Sequence, residues 1–593
     1  MQISEKLSLL REKMRDKEIE ACIIPSGDPH LSEYPTEHWK FREWLSNFTG
    51  SAGTLVVTKN EAGLWTDSRY WLQAETQLQS TNIQLFKDGK DDVPSFTKWL
   101  FQNLDAGMKV GIDNSLFSVD EAQKLINKFS DKNINVIEDF KPQDEIWESR
   151  PQIPKDLISI IPDHLAGFSR NEKIAMVREE MKKKDVNYYV TVSLDEIAWV
   201  LNLRGTDVSF NPIFYAYLII SNDDVKLFIN AYKLSTHIEK KLIVSDIKIN
   251  FYEIFKPTLK DIPDNAAVLI DPKRTNMEAF KAISNECRII KGESIIANLK
   301  TIKNETEIEN IRQTMIKDGI AMVRFLAWLN RRIDKETITE LSAAHKLAEF
   351  RKEQSGYTGD AFETISAYNE NGAIVHYCVK PETDKQLTTN GIYLSDSGGQ
   401  YITGTTDITR TIAFGYDIPE QAKIDYTLVL KGHIALAEAI FPTGTRGTQL
   451  DILARKELWK NMLNYGHGTG HGVGYYLNVH EGPQSIRTQE NPVTIKPGML
   501  TSNEPAIYRK GQYGIRIENL ILCVEKGETE FGKFLGFETL TLCPLDNKLI
   551  RKDLLSEEEI KWVNNYHKTV YEKLAPLILC ESQEWLKEIT QPI

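Results

Sequence analysis

The chain has 593 residues, of which 41% are hydrophobic and 26% charged, with 84 Asp and Glu against 72 Lys and Arg for a formal net charge of −12. That balance excludes wholesale disorder, collagen-like repeats and a membrane bundle, and argues against nucleic acid or an anionic bilayer as a main partner. At roughly 150 residues per domain the length predicts about four domains, or three if one is large.

The first residues, Met1 to Pro25, carry charges from Glu5 onward and hold no apolar run of signal-peptide length. No stretch approaches the ~18 uncharged apolar residues of a membrane span. The six cysteines are scattered and form no CxxC pair, which suits a reducing compartment. The expectation is a cytoplasmic protein.

The N-terminal half repeats itself. Arg11-Glu12-Lys13-Met14, followed by the apolar run from Ala21 to Ile24, recurs as Arg178-Glu179-Glu180-Met181 and the run from Tyr188 to Val192. Both read as a helix followed by a buried strand. Trp44, Asn47 and Gly50 return as Trp199, Asn202 and Gly205, and Leu64-Trp65-Thr66-Asp67 corresponds to Leu227-Phe228-Ile229-Asn230. Two related α/β domains are therefore expected, at 1–155 and 156–300, joined by a polar stretch from Lys141 to Pro162 whose prolines disfavour continuous helix. The remainder, 301–593, opens on a helix with Asn304 ahead of an acidic first turn. It continues in short β-type runs, with a helix around Ala435 to Ile440 and a helical closing stretch from Ser556 to about Trp585.

Three stretches of this second half carry chemistry. A strand-like run ends in Asp396, and a Thr-rich run carries Asp407; a hairpin turning at Tyr401 and Ile402 would make the two carboxylates cross-strand neighbours. A second pair, Glu504 and Glu518, is centred on Gly511, with Arg516 and Glu518 on one face of their strand. Side-by-side carboxylates repel and require a shared proton or a cation. Between the pairs lies Gly466-His467-Gly468-Thr469-Gly470-His471-Gly472, followed by His480. Its alternating glycines cost about 1 kcal/mol each in a helix, so a loop or strand with close backbone approach is expected. There is no Walker lysine, HExxH or GxSxG. Asp, Asp, His, Glu and Glu form a hard donor set suited to Mn²⁺, Co²⁺ or Fe²⁺, and four carboxylates balance two divalent ions. A two-metal hydrolase site is expected.

With their surroundings (Asp-Ser-Gly, Thr-Thr-Asp-x-Thr-Arg-Thr, Gly-His-Gly-Thr-Gly-His-Gly, Asn-Glu-Pro and Gly-Ile-Arg-Ile-Glu-Asn), these residues resemble the metal site of the pita-bread metallopeptidases. Within that group the chain is similar to the long, three-domain cytosolic type of the aminopeptidase P (Xaa-Pro aminopeptidase) family. Ile24-Pro25-Ser26-Gly27-Asp28, Gly50-Ser51-Ala52-Gly53, Leu203-Arg204-Gly205 and the final Thr590-Gln591-Pro592-Ile593 extend the likeness along the chain.

The resemblance implies two α/β domains followed by a pita-bread (creatinase/aminopeptidase-like) catalytic domain with a C-terminal helical extension. It implies two divalent ions, Mn²⁺ by expectation, with Asp396 on one metal, Asp407 and Glu518 bridging, and His471 and Glu504 on the other. Glu504 would also act as general base as a metal-bridging hydroxide attacks the Xaa-Pro amide. His376 would stabilise the tetrahedral intermediate, and His467 and His480 would bind substrate and shuttle protons. The implied reaction removes the N-terminal residue from peptides with proline second, and the implied assembly is a homodimer. The alternatives are an Xaa-Pro dipeptidase (prolidase) of the same fold, and a non-catalytic peptide-binding or chaperone relative.

Overall fold

The computed structural model describes every residue except Tyr416, with Cys580 described through its backbone only. The chain divides into two compact units, Met1–Asp163 with Phe168–Asn298, and His164–Gly167 with Leu299–Ile593.

The first unit holds two six-stranded sheets of one topology. In chain space the first runs Gln84–Lys87, Ala62–Thr66, Thr54–Thr58, Ala21–Pro25, Lys109–Gly111, Asn135–Ile137. The second runs Ile247–Asn250, Val225–Ile229, Ala216–Ser221, Tyr188–Thr191, Ala267–Ile270, Arg288–Lys291. In each, three central strands are antiparallel and the outer pairings are parallel. Strand Ala21–Pro25 is apolar on both faces because both are covered: Ala21 and Ile23 join a core that also contains Val190, Val192 and Phe228 of the second repeat, while Cys22 and Ile24 pack with Leu7, Leu10 and Met14 of the first helix.

The repeat extends to atomic detail. Asn47 caps one short helix and Asn202 follows the cap residue Leu201 of another, both in the left-handed region, at φ 56° and 51°. In the first copy the buried Lys6 ammonium donates to the Trp44 carbonyl at 2.6 Å and to Asn47 Oδ1 at 3.4 Å. In the second, Lys173 donates to the Trp199 carbonyl at 3.2 Å and to Asn202 Oδ1 at 2.8 Å. Lysine occupies the same place in both because it reaches a helix C-terminus whose last carbonyls lack an intrahelical partner.

The second unit opens on helix Glu305–Arg332, whose cap is Asn304: its side chain accepts from the Glu307 amide, and Glu307 accepts in return from the Asn304 amide. Two sheets position the site. One orders Ile365–Tyr368, Gly391–Ser397 and Ile408–Phe414; the other orders Ile440–Pro442, Gly532–Thr539, Asn519–Thr529 and Leu500–Asn503. Helices Glu420–Ala437 and Gly447–Lys460 pack with them, Val429, Tyr426 and Leu458 meeting Ile515 and Ile517 in one core.

One sequence expectation is corrected here, and the helical closing stretch is refined. The helix expected around Ala435 to Ile440 ends at Ala437, and Ile440 opens a strand, consistent with a β-branched and proline-ended Ile-Phe-Pro run. The closing stretch is two helices, Glu557–Leu574 and Cys580–Ile589, separated at a turn containing Pro576. The five described cysteines are free. Among the described residues no helix is long and apolar enough to cross a membrane.

Candidate metal centre

Asp396 is the penultimate residue of strand Gly391–Ser397, which pairs antiparallel with Ile408–Phe414. The register sets Asp396 opposite Thr409 and continues through Gln400 with Thr405 and Tyr401 with Gly404. The hairpin therefore turns at Ile402 and Thr403, one residue later than expected. Asp407 lies diagonal to Asp396 rather than directly across. The reason is local: Gly404 closes the turn at φ +154°, a backbone that side chains rarely adopt, and Gly398 lies so close to the Thr406 carbonyl that a Cβ would sit 2.1 Å from it.

The second pair is as the sequence predicts. Asn503 lies opposite Asn519, and Ala506 opposite Arg516. One register runs through both ladders, so Glu504 and Glu518 face each other and Gly511, at φ +73°, stands at the turn.

The histidine loop is neither helix nor free loop. Gly470–His471 forms a two-residue strand against Ser485–Ile486. A Cβ on Gly470 would lie 2.0 Å from the Ser502 carbonyl oxygen, and one on Gly472 2.1 Å from that of Glu481. The His471 amide donates to Ser502 Oγ at 3.0 Å, and the Glu504 amide to the Thr469 carbonyl at 2.8 Å. The glycines thus let the loop lie directly on the segment that carries Glu504.

These elements converge. His471 Nε2 is 3.4 Å from Asp407 Oδ2 and 3.7 Å from Glu504 Oε1. Asp407, His471 and Glu518 each offer a donor atom within 4.8 Å of the others. The His480 ring meets the His471 ring edge-on, with centroids 4.4 Å apart. His467 Nδ1 is 3.7 Å from Glu504 Oε2, and its Nε2 shares a hydrogen bond of 2.8 Å with the Tyr508 hydroxyl. His376 is half-buried, just beyond the 3-10 turn Asn369–Ala373. That turn packs on the hairpin following Glu504: a Cβ on Gly514 would lie 1.7 Å from the Gly372 carbonyl oxygen.

Residues outside the expected set complete the arrangement. The buried Arg516 guanidinium donates to Asp396 Oδ2 at 2.5 Å, to Thr409 Oγ1 at 3.0 Å and to the Tyr508 hydroxyl at 2.5 Å. Thr409 in turn donates to Glu518 Oε2 at 2.8 Å. Strand alternation puts Arg516 on the Glu518 face and Thr409 lies in the Thr-Thr-Asp-x-Thr-Arg-Thr motif, but no sequence signal points to Tyr508.

The electrostatics state what the cluster lacks. Burial, then the neighbouring Asp396 and Glu504, pushes the Asp407 carboxyl well above the usual range. Burial, then Asp407 and Asp396, does the same to Glu518, with Arg516 opposing. Glu504 is pushed up to about 8 by burial and by Glu518, against His471 and Arg516. Asp396 Oδ1 is buried and has no hydrogen-bond partner. An orphaned acceptor of this kind costs about 1–3 kcal/mol, and several carboxylates cannot ionise together unaided. Divalent cations would satisfy both conditions, and an oxygen-rich set with one imidazole suits them.

Comparison with known proteins agrees with this geometry. Residues 309–525 match the model of metallopeptidase family M24, and 533–593 that of the C-terminal region of the same peptidases. Residues 6–149 and 149–307 each match a creatinase/prolidase N-terminal domain. The chain is 42% identical to a Dictyostelium discoideum protein named Xaa-Pro aminopeptidase 1, across 100% of this chain and 97% of that one. It superposes with a TM-score of 0.96 on a Caenorhabditis elegans X-prolyl aminopeptidase, described as a cytosolic enzyme with a di-nuclear active site, at 33% identity over 100% of both chains. An Xaa-Pro dipeptidase from Bacillus anthracis, 22% identical with a TM-score of 0.51, covers 64% of this chain and 99% of its own, and shares the fold.

Proposed function

Because the chain belongs to metallopeptidase family M24, we propose that it is a metal-dependent aminopeptidase that removes the N-terminal residue from peptides with proline in second position. The observation that carries this reading is the convergence of Asp407, His471, Glu504 and Glu518 in one cluster in a chain similar to Xaa-Pro aminopeptidases along its whole length. Residues 1–155 and 156–300 are assigned as the two N-terminal α/β domains, and 301–593 as the catalytic domain.

Asp396, Asp407, His471, Glu504 and Glu518 would hold two divalent ions, which when bound supply an activated water and polarise the scissile carbonyl. Glu504, whose Oε1 lies 3.7 Å from His471 Nε2, is assigned to accept the proton of that attacking water, a role that requires it ionised as bound cations would make it. Arg516 holds Asp396 and, through Thr409, Glu518. His467, fixed by Tyr508 on one side, and His480, edge-on to His471, are assigned to substrate binding and proton transfer. His376 is assigned to the oxyanion of the tetrahedral intermediate. The Xaa-Pro bond calls for a dedicated enzyme because a tertiary amide offers no N–H to proteases that bind extended strands.

The hard donor set supports Mn²⁺ as the metal. A cytoplasmic location is supported by the description of the C. elegans relative as cytosolic. A homodimer rests on the family resemblance and is tested by sedimentation. The activity is tested by comparing an Xaa-Pro-Xaa tripeptide with an Xaa-Pro dipeptide: turnover of the tripeptide supports the aminopeptidase, and turnover of the dipeptide alone replaces it with a dipeptidase.

A further inference from the structure

Helix Glu340–Lys352 begins with a carboxylate that is fully buried. Glu340 Oε1 accepts from the Tyr368 amide at 2.6 Å and from Asn371 Nδ2 at 2.9 Å. Oε2 accepts from Asn371 Nδ2 at 3.0 Å, from the Tyr377 hydroxyl at 2.9 Å and from the Lys385 amide at 3.1 Å. Asn371 Nδ2 also donates to the Tyr377 oxygen at 2.9 Å, and Tyr377 reaches Thr383 Oγ1 at 3.0 Å. The donors come from both sides of one loop. Tyr368 and Asn371 precede His376, and Tyr377 and Lys385 follow it.

The same helix start is stitched to the loop's ends by backbone. The Glu340 amide donates to the Lys385 carbonyl at 2.9 Å, and the Leu341 amide to Asp384 Oδ1 at 2.9 Å. On its other side the loop adjoins the metal centre's own elements. Asn369 Oδ1 accepts from the Ile392 amide at 2.9 Å, at the start of the strand that carries Asp396, and Gly372 lies against Gly514.

Burying a carboxylate is costly unless its lone pairs are filled, and here four donor groups fill them. All of them belong to one 18-residue segment, Tyr368 to Lys385, with His376 inside it. It ties the start of one helix and the end of strand Ile365–Tyr368 to both sides of the loop that holds His376. We infer that Glu340 is a positioning residue for the reaction, a buried hub that sets the loop conformation in which His376 is presented to the substrate. The inference rests on the role assigned to His376 above.

The test is a mutant cycle on the Mn²⁺-loaded protein with an Xaa-Pro-Xaa tripeptide. Glu340→Gln keeps the shape but turns an –NH₂ toward donors. It is expected to lower kcat about tenfold with KM changed less than about twofold, and to do almost nothing further in a His376→Ala background. Tyr377→Phe, which removes one hydroxyl and leaves the other three donors to Glu340 in place, is expected to give a smaller loss that vanishes in the same background. Hydrogen exchange is expected to rise in the Tyr368 to Lys385 segment and not in the strands that carry Asp396 or Glu504. Equal losses with and without His376, or unchanged exchange in that segment, overturns the inference. If His376→Ala itself retains wild-type kcat, the assigned role of His376 fails, and the exchange measurement still decides whether Glu340 sets the loop.

Discussion

Glu504 faces Glu518 across an antiparallel hairpin whose register is continuous on either side of the pair. Glu518 is buried and Glu504 largely so, and Glu504 is pushed up to about 8, against an ordinary value of 4.5. A carboxyl whose folded value is raised binds its proton more tightly in the folded than in the unfolded chain. Its contribution is fully present below pH 4.5 and is lost as pH rises through about 8. The metal-free chain should therefore lose stability across that interval, and saturating Mn²⁺ should abolish the slope. Thermal unfolding at several pH values, with chelator and with Mn²⁺, measures both; a flat metal-free profile would contradict the reading.

The same relationship predicts opposite effects of one substitution on activity and stability. Glu504→Gln removes the proposed base and a metal donor, so turnover should fall by at least about 10³-fold. It also removes a repelled buried charge, so the metal-free variant should unfold at a higher temperature than wild type at pH 8. Activity within about tenfold of wild type would exclude Glu504 as the base.

His471 Nε2 approaches Asp407 Oδ2 to 3.4 Å. Asp407→Asn and His471→Ala should each reduce bound Mn²⁺ from about two ions per chain, measured by elemental analysis after gel filtration. Unchanged stoichiometry in both would place the metals elsewhere.

In the first unit the twin lysines provide a test of the internal repeat. Lys173→Met takes the lysine donor from Asn202 Oδ1 and leaves the Trp199 carbonyl with backbone donors only. It should cost about 1–3 kcal/mol in denaturant unfolding. The Lys6→Met counterpart, facing Trp44 and Asn47, should behave alike; unequal losses would refute the equivalence of the repeats, and a silent pair the stabilising role of the lysines.

What the sequence disclosed depended on how local the determinant was. The Glu504 and Glu518 pairing was legible because strand alternation and a glycine midway between them define a register. The Asp396 hairpin was misjudged by one residue because the φ of Gly404 is a property of the fold, and glycine alone does not announce which turn it closes. The repeat was visible through Trp, Asn and Gly at matched spacing, while the lysine that caps both copies was not, since its partners lie 38 residues away in one copy and 26 in the other. The hold of Arg516 on Asp396 spans 120 residues, and the Glu340 hub reaches as far as Lys385, 45 residues on. Such contacts have no periodicity to read, because a buried charge is paired by topology rather than by its neighbours in the chain.

The most direct measurement is product analysis of the Mn²⁺-loaded protein on paired tripeptides, Xaa-Pro-Xaa and Xaa-Ala-Xaa, before and after metal removal. The account predicts release of the first residue from the proline peptide alone, lost with chelation and restored by Mn²⁺. Equal cleavage of the alanine peptide, or turnover that survives complete metal removal, would contradict it.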